Sequence, residues 1–172
     1  FYPSKPFLQQ NAAVGDAELI TWQRHPDNPL LPDTTHRDQV QIGSWRDPFI
    51  FVHKGQTYIV VGGWEGAQKG PGTSRGIVSL YKADNPQLTG WTYIGPLFYH
   101  PDSADNACPN FFRLGDKWLL LMSRHNPHVC DYLVGTWDES TGRFEAEFAD
   151  ALGYTEAVYA TQGLYDSQGR LV

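Results

Sequence analysis

The sequence predicts an all-β protein built as a partial β-propeller. Three observations carry that reading. Runs of β-branched and aromatic residues alternate with Gly, Asn, Asp and Pro turn signals along the chain. No segment sustains the 3.6-residue apolar spacing of a capped helix. One order of four strands occurs twice, and a third copy opens at the C-terminal end.

The first copy is expected over residues 40–100. Pro48-Phe49-Ile50-Phe51-Val52 is an apolar β-forming run, and Thr57-Tyr58-Ile59-Val60-Val61 follows it. His53-Lys54-Gly55-Gln56 between them reads as the turn of a hairpin. Gly76 to Tyr81 is a third strand. Ala83-Asp84-Asn85-Pro86 has turn chemistry, Pro86-Gln87-Leu88 suits one short turn, and Trp91 to Ile94 is the fourth strand.

The second copy is expected over residues 105–150. Pro109 to Leu114 runs into Gly115-Asp116 and then Lys117 to Leu121. Tyr132 to Trp137, the turn Asp138-Glu139-Ser140-Thr141-Gly142 and Arg143 to Phe148 complete it. Pro48 corresponds to Pro109 and Gly55 to Gly115. A third copy is expected to start over residues 155–172, with Gly169 in the place of Gly55 and Gly115. One blade cannot bury both of its faces, so blades stack around an axis. The chain therefore holds about two blades and the start of another, within one domain. A partial propeller is expected to leave an open face at each end, to be met by the remaining blades or by self-association. The only Met is Met122, so the sequence is expected to be a processed product or a fragment.

Composition narrows the function. Lys+Arg number 13 against 19 Asp+Glu, a formal net charge of −6, and no basic run is present. That argues against a nucleic-acid partner, whose phosphates need clustered cations. Apolar stretches such as Trp118 to Met122 are far shorter than the ~20 residues of a membrane-spanning helix. Cys108 and Cys130 are the only cysteines, which permits one bridge and no disulfide framework.

Ser44-Trp45-Arg46-Asp47-Pro48-Phe49 is the segment most suggestive of chemistry. A guanidinium beside a carboxylate favours the ionised form. An ionised Asp47 can accept hydrogen bonds from vicinal sugar hydroxyls, and Trp45 and Trp64 are candidate walls for a sugar pocket. An Arg46–Asp47 pair that only closes a loop fits the local pattern equally well. The corresponding point of the second copy is Asp105-Asn106-Ala107-Cys108-Pro109-Asn110. Ala107 stands there without a carboxylate, and Asp105 reads as a loop residue. His125-Asn126-Pro127-His128-Val129-Cys130 invites a metal reading. Pro127 makes it a loop, and no second ligand cluster accompanies it, so no metal and no cofactor are assigned.

At these residues the chain resembles glycoside hydrolase family 32, the invertases, inulinases and fructosyltransferases. Trp45-Arg46-Asp47-Pro48-Phe49 matches its Arg-Asp-Pro motif, and Ala107-Cys108-Pro109-Asn110-Phe111-Phe112 is similar to its Glu-Cys-Pro motif. Thr21-Trp22-Gln23-Arg24, Asn28-Pro29-Leu30-Leu31, Leu80-Tyr81 with Gly90-Trp91, and Tyr159-Ala160-Thr161-Gln162 with Gly169-Arg170 follow in the family's order. Phe1-Tyr2-Pro3-Ser4 resembles a stretch of its fungal-type members. The resemblance implies a five-bladed propeller, a sucrose or fructan substrate and, weakly, an extracellular location. It implies that Asp47 binds fructosyl hydroxyls and stabilises the transition state, with Arg46 orienting it. It places the general acid/base at Ala107, next to Cys108, and the nucleophile upstream of Phe1.

The departure at Ala107 implies that the chain does not hydrolyse its sugar as it stands. A fructoside-binding protein without catalysis and a protein-interaction propeller are the competing readings. A five-bladed arabinan- or xylan-directed hydrolase is a further enzyme alternative.

Overall fold

The computed structural model describes residues 8–66, 69–125, 127–153 and 158–172. Phe1 to Ser4 and Asn126, quoted above, lie outside the described residues. A short hairpin comes first, β1 (Ala13–Gly15) with β2 (Trp22–Arg24), and then one turn of helix, α1 (Thr34–Arg37). The first large sheet contains β3 (Ile42–His53), β4 (Gln56–Gly66), β5 (Ser74–Ala83) and β6 (Trp91–Tyr99). The second contains β7 (Asn106–Leu114), β8 (Lys117–Arg124), β9 (Val129–Asp138) and β10 (Arg143–Ala151). Each is an antiparallel meander in which sequence order is spatial order.

Turn chemistry sets the registers. Lys54 and Gly55 both have positive φ, 48° and 80°, and join His53 to Gln56 in the two-residue form whose twist suits a hairpin. Gly115, at φ 63°, does the same between Leu114 and Lys117. In the third copy Tyr165 bridges Leu171, and the Asp166 carboxylate accepts the amides of Gln168 and Arg170. The strands exceed the predicted ones at their ends, where polar residues such as Asn106 and Arg124 keep the ladder going. The β1–β2 hairpin and α1 escaped prediction because both are too short to show a period.

The sheets pack face to face, with β3 and β4 against β7 and β6 near β10. Between them lies the main core, which includes Phe51, Val60, Val78, Leu80, Phe111, Trp118, Leu120 and Met122. Alternation along β4 sends Val60 to this core and Ile59 and Val61 to the opposite face. There the structure departs from the expected open end. Leu31 and Trp45 seal Ile59, Val61, Tyr81 and Tyr93 into a second core. The segment ahead of β3, together with Trp45 of β3 itself, thus closes much of one face that a bare blade would expose.

His36 of α1 is buried in this second core. Its ring lies 4.6 Å from that of Trp45, and its Nδ1 is 2.9 Å from the Tyr81 hydroxyl. Burial is the main cause that pushes its pKa down to about 4, with Arg37 adding to the effect and Asp33 opposing it. The unfolded chain then binds the extra proton first, and stability falls as pH drops from about 6.5 towards 4. We expect His36→Gln, which keeps a hydrogen-bonding side chain, to remove on the order of 2 kcal/mol of that acid destabilisation in urea titrations at pH 7 and pH 4. An equal pH dependence in both proteins would contradict this.

Close approach between the sheets needs Gly62. A Cβ there would lie 2.7 Å from the Asn106 carbonyl oxygen, which is backbone and cannot swing away. Gly62→Ala should lower unfolding stability by about 1–3 kcal/mol. A midpoint in urea like that of the wild type would show that the sheets can part freely.

Candidate active site

The site is built where the register breaks in the middle of β3 and near the start of β7. Asp47 precedes Pro48 in β3, and the β3–β4 register shifts between Arg46 and Phe49. Cys108 precedes Pro109 in β7, with the same kind of shift between Ala107 and Asn110. The residue before proline is pushed out of the right-handed helical region. Both residues adopt positive φ, 59° for Asp47 and 49° for Cys108. Ala160, at φ 57°, holds the matching place in the third copy. Left-handed backbone at an Ala and a Cys is costly and persists only where the surroundings enforce it.

One oxygen of Asp47 joins the two sheets. Its Oδ2 accepts the Cys108 backbone N–H at 3.1 Å and the Cys108 thiol at 3.4 Å. The Arg46 Nε lies 3.4 Å from the same oxygen. Oδ1 accepts no hydrogen bond among the described residues, and the side chain is 35% exposed. Asp47 therefore has one anchored oxygen and one open oxygen.

Arg46 serves more than Asp47. Its Nη1 donates to the Ser44 carbonyl at 2.7 Å. Its Nη2 lies 2.6 Å from His125 Nε2 and 3.4 Å from Asp105 Oδ2. Asp105 is fully buried and also receives Lys69 Nζ at 2.5 Å. Asp105 lies in a loop as expected, but it is buried there between two cations and a histidine rather than exposed. The His125 Nε2 also lies 2.9 Å from the Tyr159 hydroxyl. Burial chiefly lowers the His125 pKa. Asp105 opposes that effect, and Arg46, Lys69 and His128 add to it.

The remaining predicted residues divide. Cys108 is at the site as expected, and no disulfide joins it to Cys130. Ala107 lies beside it on β7, paired with Ser123 and only 1% exposed. Trp45 is a correction. It is 1% exposed and packed on His36 and Tyr81, so it has no face to offer a sugar. Trp64 is partly exposed, but its indole N–H donates to Ser44 Oγ and its ring packs over Gly43. It lines a separate hollow with His36, Arg37 and Val40. The sequence reading missed Lys69, His125 and Tyr159 as site residues. In the structure Tyr159 stands one residue before the left-handed Ala160, as Arg46 stands one residue before the left-handed Asp47. The sequence pattern around His125 suggests only a metal ligand.

The Cys108 thiol is pushed up to about 11, first by burial and then by the Asp47 carboxylate. It is therefore a donor to Asp47 and a poor nucleophile. At pH 8 it should react with iodoacetamide roughly 100-fold more slowly than a free thiol. Asp47→Asn should speed that reaction by removing the negative charge. Rapid alkylation of the wild type at Cys108, followed by peptide mass spectrometry, would overturn the assignment.

Comparison with known proteins follows this geometry. The family described as "Glycosyl hydrolases family 32 N-terminal domain" matches residues 4–172. A sucrose-6-phosphate hydrolase of Zymomonas mobilis is 26% identical over 154 residues, covering 77% of this chain and 28% of that protein. An extracellular exo-inulinase of Aspergillus niger is 27% identical over 151 residues, covering 77% of this chain and 26% of that protein. The chain thus spans only about a quarter of the length of these relatives. Among solved structures, a Bombyx mori GH32 beta-fructofuranosidase in complex with sucrose superposes with a TM-score of 0.74 at 24% identity. That match covers 95% of this chain and 35% of the other.

Proposed function

The chain belongs to glycosyl hydrolase family 32, and from that premise we propose that it supplies part of a fructoside site of the β-fructofuranosidase type. In this reading the intact protein takes sucrose or a fructan. Asp47 accepts the fructosyl hydroxyls through Oδ1, while Oδ2 stays fixed by Cys108 and Arg46. The relatives named for sucrose-6-phosphate and inulin, and the structural neighbour holding sucrose, support that substrate class.

We further propose that the site binds fructosides without cleaving them. Retaining hydrolysis needs a general acid/base opposite a carboxylate nucleophile, roughly 5 Å apart. Family resemblance puts the acid/base at position 107, and the Ala107 methyl has no proton to give. Among the described residues beside it, neither Asp105 nor Cys108 substitutes. Asp105 is enclosed by Lys69 and Arg46, and the Cys108 thiol is spent on Asp47. One observation carries the proposal: position 107, on the strand beside Cys108, holds a buried alanine that has no side-chain donor or acceptor. Losing the general acid alone removes ~10²–10⁴-fold of rate.

Isothermal calorimetry with sucrose and 1-kestose tests both parts. We expect saturable binding that Asp47→Ala weakens at least about tenfold, equivalent to ~1.4 kcal/mol, with no fructose released on prolonged incubation. Fructose release that disappears in Asp47→Ala would refute the loss of catalysis. Binding untouched by Asp47→Ala would move the ligand elsewhere and favour a protein-interaction propeller.

A further inference from the structure

Asp105 is the residue whose environment the fructoside reading leaves unexplained. It is fully buried, two residues ahead of Ala107, in the loop that leads into β7. A buried carboxylate without counter-charge costs several kcal/mol, so its cationic partners are obligatory. They come from distant segments: Arg46 from β3, Lys69 from the segment between β4 and β5, and His125 from the end of β8. The loop itself is pinned. Ser103 Oγ donates to the Asp105 carbonyl at 2.7 Å and accepts the Asp105 N–H at 3.3 Å. The His125 N–H donates to the same carbonyl at 3.3 Å. The carboxylate is therefore a fixed point, and the longer Arg46 and Lys69 side chains arrange themselves around it.

Arg46 is shared between two carboxylates. Its Nε faces Asp47 Oδ2 and its Nη2 faces Asp105 Oδ2, each at 3.4 Å. A planar guanidinium cannot turn towards one without moving relative to the other. We infer that Asp105 is a positioning residue for the fructoside site: it supplies the counter-charge that Ala107 lacks and so holds Arg46 in the orientation that keeps Asp47 Oδ1 open. The inference rests on the fructoside reading for the identity of the ligand, but the geometry behind it is independent of any ligand.

Two predictions follow from that role. Losing the Asp105 charge should disturb Arg46 even in the empty protein. It should also move the titration of His125, which faces Asp105, Arg46, Lys69, His128 and Tyr159. Asp105 favours the imidazolium, so Asp105→Asn should shift the His125 midpoint to lower pH.

The experiment uses nuclear magnetic resonance on the ligand-free protein, followed by calorimetry with 1-kestose. In Asp105→Asn the Arg46 Nε–H resonance should shift, the His125 midpoint should fall, and 1-kestose affinity should drop about tenfold. Asp105→Glu should restore most of that affinity. Lys69→Met covers the case in which Asp105→Asn fails to fold, because Lys69 is 44% exposed. Losing the ammonium leaves Arg46 as the main cation on Asp105, so the Arg46 resonance should shift and affinity should fall several-fold, with some loss of thermal stability but a folded protein. An unchanged Arg46 resonance in a folded variant, or unchanged 1-kestose affinity in a wild-type-like background that binds it, overturns the inference. If the wild type does not bind 1-kestose, the fructoside reading fails, and the Arg46 and His125 signals still decide whether Asp105 positions Arg46.

Discussion

Everything at this site depends on one carboxylate oxygen. The left-handed backbone at Cys108 turns its peptide N–H out of the β7–β8 ladder, and a buried N–H needs an acceptor. Asp47 Oδ2 supplies it from the neighbouring sheet. Asp47 can reach because it is itself in the left-handed region, ahead of Pro48. The two irregularities are thus complementary, each making sense only in the presence of the other. A consequence is that Asp47 is structural and functional at once. The oxygen that ties the sheets together is withheld from ligand, and its partner oxygen is held out in a fixed direction.

The sequence disclosed the sheets more fully than the site, for a physical reason. Strand alternation and turn residues are local, so Phe51, Val60 and Leu120 could be assigned to strands from their neighbours alone. Gly55 and Gly115 marked hairpins because few other residues accept their backbone angles cheaply. Arg46 and Asp47 were found as a guanidinium beside a carboxylate, and Cys108 through its resemblance to the family's Glu-Cys-Pro motif. Lys69 and His125 were not, because their roles come from contacts across 36 and 79 positions of chain. Trp45 shows the opposite error. Its place beside Arg46 suggested a sugar platform, and regular alternation would put Trp45, two residues from Asp47, on the same face, but the register breaks on either side of Arg46 send the two apart. Asp47 faces the second sheet while Trp45 faces His36 and Tyr81.

The segment ahead of β3 and the first residues of that strand add a constraint on the site. Leu31 and Trp45 close one face of the first sheet, and Trp45 immediately precedes Arg46. Burial of the indole fixes the start of the irregular stretch, and the hydrogen bond from Arg46 to the Ser44 carbonyl folds the guanidinium back over it. The aromatic core and the charged cluster therefore share a backbone. Disturbing one is felt in the other through two or three peptide units.

The charges around position 107 also bear on what the site can do. A general acid must hold its proton near neutral pH, and burial away from cations is what raises a carboxyl enough to do so. Ala107 abuts Gly62, and Gly62 pairs with Arg46, which carries a permanent charge. Lys69 brings a second cation to the same cluster through Asp105. An acceptor of sugar hydroxyls needs instead a carboxylate held in a fixed orientation. Asp47 meets that need with a backbone amide, a thiol and a guanidinium on one oxygen. The cluster is thus organised to present an anion to hydroxyl groups, and a carboxyl restored at position 107 would enter surroundings already committed to that task.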